Sequence, residues 1–375
     1  MLKKVIISGG GTGGHIFPAI SIADAIRKRN PQAEILFVGA EGRMEMERVP
    51  QAGYEIKGLP IMGLNRKNIF KNFKVIKHYL LSLTFARDII REFKPDIVIG
   101  VGGYASAPTL KGAQSLGIPT LLQEQNSYAG VTNKMLARRA DKICVAYPDM
   151  EKFFKEDKIV LTGNPIRPQI EFLNVNRKDA LIFFGLSPNT GKVVLVVGGS
   201  LGARTINESI ADHLAEWADS GVALIWQTGK SYMHTAQELL AGYKGQVWCN
   251  DFISRMDYAY SLADLVISRA GACSISELCL LGKASILVPS PNVAEDHQTK
   301  NALALSSRQA TIMISDKEAP SKLSAEALKT VQDDALLAQL QTEVSKLAYR
   351  EAAERIVDEA EKILEVKANP PQKNA

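Results

Sequence analysis

Residues 4–15 read KVIISGGGTGGH and residues 192–204 read KVVLVVGGSLGAR. Each opens with a β-branched run and breaks into glycines just before a stretch of helical spacing, so each predicts a strand, a tight turn and a helix. Outward from these two points the same alternation fills both halves of the chain. KKVIIS, AEILFVG, YEIKGL, DIVIGVGG, PTLLQEQ, KICVA and KIVLTG follow one another in the first half, with helical stretches such as 19–29 between them. A turn-rich passage, GNPIRPQIEF to GLSPNTG, intervenes. The alternation then restarts with KVVLVVGGS, VALIWQTG, VWCNDF, DLVISRAG, ASILVPS and ATIMIS.

Strand–helix alternation of this kind predicts parallel sheets with helices on both faces. The expected fold class is therefore α/β, with two Rossmann-like doubly wound parallel-sheet domains facing a cleft. Loops at the C-terminal strand ends would line that cleft. The boundaries expected are 1–164 for the first domain and 165–340 for the second. Residues 341–365 form a C-terminal helix placed to pack back on the first domain, and 366–375 a polar, disordered tail.

Composition narrows the function classes. The chain has 375 residues, 46% of them apolar and 23% charged, which is the profile of an ordinary globular protein. No apolar run reaches the 18 or so residues of a bilayer-spanning helix, and MLKKVIISGGG is too short in its apolar part for a signal peptide. A cytoplasmic protein is expected. Cys144, Cys249, Cys273 and Cys279 show no CxxC spacing, which favours thiols over disulfides or zinc.

The charge is divided unevenly. Residues 1–160 carry 24 Lys and Arg against 15 Asp and Glu, while the remainder carries 21 against 25. No acidic residue falls between Glu55 and Asp88. Lys57, Arg66, Lys67, Lys71, Lys74, Lys77 and Arg87 lie there among Ile69, Phe70, Phe73, Ile76, Leu80, Leu81, Leu83 and Phe85. An apolar face with a basic rim suits an anionic membrane surface. The same pattern also describes an amphipathic helix packed on its own domain.

Glycines between a strand and a helix let backbone N–H groups approach an anion, and Gly9, Gly11 and Gly14 satisfy the GxGxxG spacing of dinucleotide-binding turns. Glu41, near the end of the second strand, stands where a ribose-binding acid would sit. That reading is a nicotinamide-dependent oxidoreductase, and it leaves His15 without a part. An imidazole at the mouth of the turn is placed for proton transfer, or else is one more hydrogen-bonded histidine. In the second half, DLVISRAGACSISELCLLGKASILVP sets a strand before Gly271 and a helix. Glu277, one turn inside, is in reach of ribose hydroxyls, while Ser274 and Glu277 equally fit a capping box. There is no Walker A sequence, no HExxH, no DxD and no base-stacking basic motif, so a metal site and a nucleic-acid partner are not expected.

GGGTGGHIFPAI, GVGGYASAP, QEQNSYAGVTNKMLAR, LTGNPIR, VVGGSLGARTIN and SRAGACSISEL…EDHQTKNA, in this order over residues 3–305, resemble a bacterial family. It is the glycosyltransferase family 28 enzymes that convert lipid I to lipid II in peptidoglycan synthesis. The resemblance implies a GT-B fold and no cofactor. The donor would be UDP-N-acetylglucosamine and the acceptor undecaprenyl-diphospho-N-acetylmuramoyl-pentapeptide. The acceptor would lie on the first half and the UDP-sugar mainly on the second, with the enzyme peripheral to the cytoplasmic face of the cell membrane.

Carried over by position, the donor-binding residues would be Thr12, Gly13, Gly14, Asn126, Arg167, Ser200, Ile253, Gln298 and the run Ala272, Cys273, Ser274, Ile275, Ser276 and Glu277. Where the family often has a second Gln beside Gln298, this chain has His297. Tyr104, Ser106, Glu124 and Asn133 match the acceptor side, and His15 is the base expected for an inverting attack by the muramoyl C4 hydroxyl. The resemblance also favours the membrane reading of the 69–85 stripe. A UDP-N-acetylglucosamine epimerase and a non-catalytic sugar-nucleotide sensor are the competing readings.

Overall fold

The computed structural model describes residues 1–62, 72–199, 202–293 and 296–369, with backbone only at 72–74. It divides into two compact units, Met1–Arg167 with Glu351–Ala375, and Pro168–Arg350.

The first unit alternates strands and helices as β1 (Lys4–Gly9), α1 (Gly13–Arg29), β2 (Glu34–Ala40), α2 (Glu45–Gln51), β3 (Glu55–Leu59), α3 (Asn72–Phe93) and β4 (Ile97–Gly102). It continues through α4 (Ser106–Ser115), β5 (Thr120–Glu124), α5 (Val131–Ala137), β6 (Lys142–Val145) and β7 (Ile159–Leu161). All seven strands are parallel, in the order β3-β2-β1-β4-β5-β6-β7. Both faces of such a sheet are covered, so its strands are apolar on both sides. Val5 and Ile7 pack with Ile16, Ile22 and Ile26 of α1 on one face. Ile6, Leu36 and Val98 pack with Leu110 of α4 on the other. This is the period-2 alternation of a strand.

The second unit runs α6 (Pro168–Glu171), α7 (Arg177–Phe183), β8 (Val193–Val197), α8 (Arg204–Ala211), α9 (Leu214–Asp219), β9 (Ala223–Gln227), α10 (Met233–Leu240) and β10 (Val247–Asn250). Then come α11 (Met256–Leu262), β11 (Leu265–Ser268), α12 (Ala272–Leu281), β12 (Ala284–Leu287), α13 (His297–Ser306), β13 (Ile312–Met313), α14 (Ala319–Gln332) and α15 (Asp334–Ser345). Its sheet is again parallel, in the order β10-β9-β8-β11-β12-β13. Two fully buried indoles fix its core. Trp217 donates to Ser324 Oγ at 3.1 Å and Trp226 to Asn207 Oδ1 at 3.0 Å, so neither buried N–H lacks a partner.

The chain's end differs from the single helix expected over 341–365. That span holds the end of α15, a break, and α16 (Ala352–Ala368), which includes residues 366–368 that the sequence reading gave to the tail. Residues 370–375 lie outside the described residues. α16 belongs to the first unit because its apolar stripe, Ala353, Ile356, Val357, Ala360 and Ile363, joins the core cluster of α1 and β1. Arg29 of α1 pairs with Asp358 at 2.6 Å and Glu361 at 3.2 Å, which fixes the register of the two helices.

In α3, Ser82, Ala86 and Ile90 face inward, while Ile76, Leu80, Leu81 and Phe85 are exposed, Leu80 by 57%. Phe73 and Lys74 belong to the backbone of this helix, and Arg66, Lys67, Ile69, Phe70 and Lys71 lie outside the described residues. All four cysteines are thiols, with Cys144 and Cys279 buried and Cys249 and Cys273 half-buried. Burial pushes the Cys249 and Cys279 thiols up to about 12. Among the described residues no helix is long and apolar enough to cross a membrane.

Ile356 is fully buried in the α1–α16 seam. Ile356→Ala is expected to lower the stability of the first unit by about 2–4 kcal/mol. Hydrogen exchange of the β1 amides reads this directly, and unchanged protection would detach α16 from that core.

Candidate functional site

In each sheet the strand order reverses once, between β1 and β4 and between β8 and β11, and ligands of open α/β sheets bind at the C-terminal ends beside such a reversal. The turn after β1 meets the turn after β4 there. Gly103 lies at φ +88, and a Cβ on it would stand 2.3 Å from the Gly10 carbonyl oxygen, so only main chain fits between them. A Cβ on Gly102 would lie 2.9 Å from His15 Nε2, which places the imidazole against the second turn.

Thr12 is the N-cap of α1, and its carbonyl accepts from the His15 and Ile16 N–H groups. Its hydroxyl lies 3.3 Å from His15 Nδ1. The Tyr104 ring, half-exposed, stands over Gly11. Thr12, Gly13, Gly14, His15 and Tyr104 thus come together.

The turn has an acidic floor that sequence reasoning missed. Glu45, fully buried at the start of α2, accepts from Gly11 N–H at 2.9 Å and Ala40 N–H at 3.0 Å. Glu41, the acid proposed for a ribose, is exposed, and its stem lies over Gly58 of β3. A residue four positions later does the holding, and it binds protein backbone.

Three of the four acceptor-side residues, Ser106, Glu124 and Asn133, are interior. Ser106 is fully buried and donates to the carbonyls of Ser8 and Gly102 at 2.6 and 3.0 Å, tying the β1 and β4 turns together rather than facing a ligand. Glu124, at the end of β5, is buried as well. Its Oε1 accepts from the Asn126 backbone and side-chain nitrogens, and its Oε2 from Gly130 N–H and Asn133 Nδ2 at 2.9 Å each. It shapes the 125–133 loop. Burial pushes its carboxyl above the usual range, and these donors pull back against that. Asn133 is buried with it, whereas Asn126 is half-exposed. Arg167 stacks its guanidinium 5.1 Å over the Phe17 ring of α1.

In the second unit Gly198 turns so tightly that a Cβ would meet Ala203 N at 2.3 Å, and one on Gly202 would meet the Thr228 carbonyl oxygen at 2.3 Å. Ser200, between them, lies outside the described residues. Gln227, at the end of β9 and also missed, donates to the Gly199 carbonyl and accepts from Ile253 N–H, both at 3.0 Å. Ile253 is buried, and its N–H is committed to this bridge.

α12 begins after Gly271, its N-cap, so Ser274 sits inside the first turn and the capping-box alternative does not form. Cys273, Ser274 and Ser276 are half-exposed, whereas Ala272 and Ile275 are buried. Glu277 is buried too, and accepts from the Tyr260 hydroxyl at 2.9 Å. The first turn carries no acidic residue, and Gly271 supplies no side-chain cap, so the helix's own first turn leaves its positive dipole end without a counter-charge.

Arg269, just before this turn, bonds the carbonyls of Val288 and Pro289 and pairs with Asp316, which accepts from Thr205. Gln298 accepts from Ser290 N–H at 2.9 Å, so it folds its own loop back onto α13. Among the described residues no three His, Cys, Asp or Glu side chains gather as a metal site.

Two parallel-sheet units with glycine turns at their strand-order reversals define the GT-B class of fold. UDP-N-acetylglucosamine 2-epimerase from Neisseria meningitidis shares this fold at 15% identity, with a TM-score of 0.69 over 96% of this chain and 100% of that one. Fold alone therefore leaves the reaction open.

Residues 5–145 match the glycosyltransferase family 28 N-terminal domain and residues 193–356 its C-terminal domain. The chain belongs to glycosyltransferase family 28. It is 65% identical to a UDP-N-acetylglucosamine–N-acetylmuramyl-(pentapeptide) pyrophosphoryl-undecaprenol N-acetylglucosamine transferase from Porphyromonas gingivalis, over 96% of both chains. It is 62% identical to the transferase of the same name from Parabacteroides distasonis, over 97% of this chain and 99% of that one. The crystal structure of MurG from Acinetobacter baumannii has a TM-score of 0.73 at 28% identity, over 96% and 99% of the two chains.

Glu124→Gln turns one acceptor oxygen into a donor facing N–H groups, and is expected to cost about 1–3 kcal/mol. Because the folded pKa is raised, wild-type stability at this site falls as pH rises from the ordinary carboxylate range through the raised value. The Gln variant lacks that slope. Urea unfolding of both proteins at several pH values checks this, and parallel profiles would remove Glu124 as the titrating group.

Proposed function

We propose that this chain transfers N-acetylglucosamine from UDP-N-acetylglucosamine to the C4 hydroxyl of undecaprenyl-diphospho-N-acetylmuramoyl-pentapeptide, lipid I, giving lipid II with inversion at the anomeric carbon. The observation that carries this reading is the 65% identity, over nearly the whole of both chains, to a transferase named for that donor and acceptor.

The electrostatics of the two units support a division of labour. In the first, Gly11 N–H faces a carboxylate, which disfavours a diphosphate at that turn. In the second, the start of α12 offers a diphosphate the positive end of a helix whose first turn carries no acid. The donor diphosphate therefore belongs at Ala272–Ser276 with Ser200, and the ribose at Glu277. Ile253 and Gln298 line the same strand ends. Thr12, Gly13, Gly14, Asn126 and Arg167 serve the sugar end of the donor, and Tyr104 the acceptor. Ser106, Glu124 and Asn133 hold the loops that carry these groups.

In the chemical step the C4 oxygen forms a bond to the anomeric carbon, and the bond from that carbon to the β-phosphate oxygen breaks. The electron pair leaves on UDP and the hydroxyl proton passes to His15. In the tautomer whose Nδ1–H faces the Thr12 hydroxyl, 3.3 Å away, Nε2 carries the lone pair that takes the proton. The α12 dipole stabilises the charge that develops on the diphosphate.

The exposed Ile76, Leu80, Leu81 and Phe85 of α3, in the basic half of the chain, support peripheral attachment to an anionic, cytoplasmic membrane face where a polyprenyl acceptor resides.

Kinetics with radiolabelled donor separate the roles. Glu277→Ala is expected to raise the donor KM by about tenfold to a hundredfold, as two charge-assisted hydrogen bonds of roughly 1.5–3 kcal/mol in total are lost. His15→Ala is expected to lower kcat about a hundredfold with donor affinity unchanged. An unchanged KM in the first variant, or collapsed donor binding in the second, would reverse the assignment concerned. Wild type is also expected to sediment with anionic vesicles, less at high salt. Changing Ile76, Leu80, Leu81 and Phe85 together to Ser abolishes this while turnover of a water-soluble acceptor persists. Equal sedimentation of that variant would return the face to a merely exposed helix surface.

A further inference from the structure

We propose that Tyr260 is the positioning residue of the ribose site, and that its hydroxyl sets the discrimination between ribonucleotide and 2′-deoxyribonucleotide donors. The inference rests on the reading of Glu277 as the ribose-binding acid.

A glutamate side chain has three rotatable bonds, and its carboxylate grips two vicinal hydroxyls only when its plane is held in one orientation. Glu277 is buried on α12, and Tyr260 is buried on α11, with the phenolic O–H donating to Oε2 at 2.9 Å. A hydroxyl donor and an ionised carboxylate make one of the stronger hydrogen bonds of a protein interior. This one fixes Oε2, and with it the plane of the carboxyl group. The phenol ring is rigid and packed, so the orientation is set before the nucleotide arrives.

The placement also links two parts of the donor site. α11 starts three residues after Ile253, whose N–H is held by Gln227, and Gln227 in turn holds Gly199 of the β8 turn. Tyr260 thus ties the Ile253 loop to α12 through one helix. It does not touch the reacting atoms. Its removal is therefore expected to appear in nucleotide affinity and in ribose selectivity, with kcat at saturating donor little changed.

The test is a calorimetric cycle on the full chain with UDP and 2′-deoxy-UDP as the probes, using wild type, Tyr260→Phe, Glu277→Ala and the double variant. Phe keeps the ring and removes only the hydroxyl. Tyr260→Phe is expected to weaken UDP binding roughly tenfold, to narrow the ratio of UDP to 2′-deoxy-UDP affinities, and to add nothing in the Glu277→Ala background. A merely structural role would lower both affinities alike and leave the ratio intact. The ratio does not depend on the folded fraction, so it remains readable if the variant is less stable.

Unchanged UDP affinity and ratio in Tyr260→Phe, with Glu277→Ala still impaired, would overturn the role of Tyr260 and leave the ribose reading standing. Additive losses in the double variant would overturn it as well. Unchanged affinity in Glu277→Ala would remove both together.

Discussion

At Gly10 and Gly103 two stretches of main chain meet with no side chain between them, because a Cβ on Gly103 would stand 2.3 Å from a carbonyl oxygen. That approach brings the turns after β1 and β4 together at the reversal of strand order, and His15 and Tyr104 stand where they do because of it. Ser106 locks it with bonds to Ser8 and Gly102, and Glu45 holds it from beneath. The second unit solves the same problem with Gly198 and Gly202, and with Gln227 as the brace. In both, the side chains proposed to bind substrate ride on turns whose shape is imposed by close backbone contact.

The difference between the two turns is electrostatic. A buried carboxylate beneath the first makes it a poor diphosphate cradle, while the start of α12 carries no acid in its first turn. The chain's charge runs the other way, with the basic excess in residues 1–160. Net charge attracts an acidic lipid surface over a distance of about a Debye length, whereas a few backbone donors decide which phosphate is held. In the proposed function the two scales of charge serve two different ligands.

The strands were legible because β-branched runs ending in glycine have few other uses in a parallel sheet. The quoted segments become β1 to β13 with small changes at their ends. What stayed hidden depends on partners distant in sequence. Glu45 looks like any surface acid until α2 folds it under the turn, and Glu41, four residues earlier, was the more obvious choice. Ser274 and Glu277 have a spacing common to caps and to helix interiors, and only the N-cap at Gly271 decides between them. Ser106 and Glu124 were placed on the acceptor side by resemblance, and their burial makes them supports for that side. Tyr260 and Gln227 carry no motif, and the parts given to them rest on one and two hydrogen bonds, respectively, between residues distant in sequence.

The central claim is that a GlcNAc unit moves from UDP to a lipid-linked muramoyl sugar. Incubating the full chain with sugar-labelled UDP-N-acetylglucosamine and lipid-linked muramoyl-pentapeptide in detergent, then resolving the lipid, nucleotide-sugar and free-sugar fractions, measures that transfer directly. The expected result is label in the lipid fraction as a β-linked disaccharide, formed in step with UDP. Label that stays in the nucleotide-sugar fraction as the 2-epimer, or appears as free sugar with none in the lipid, would contradict it.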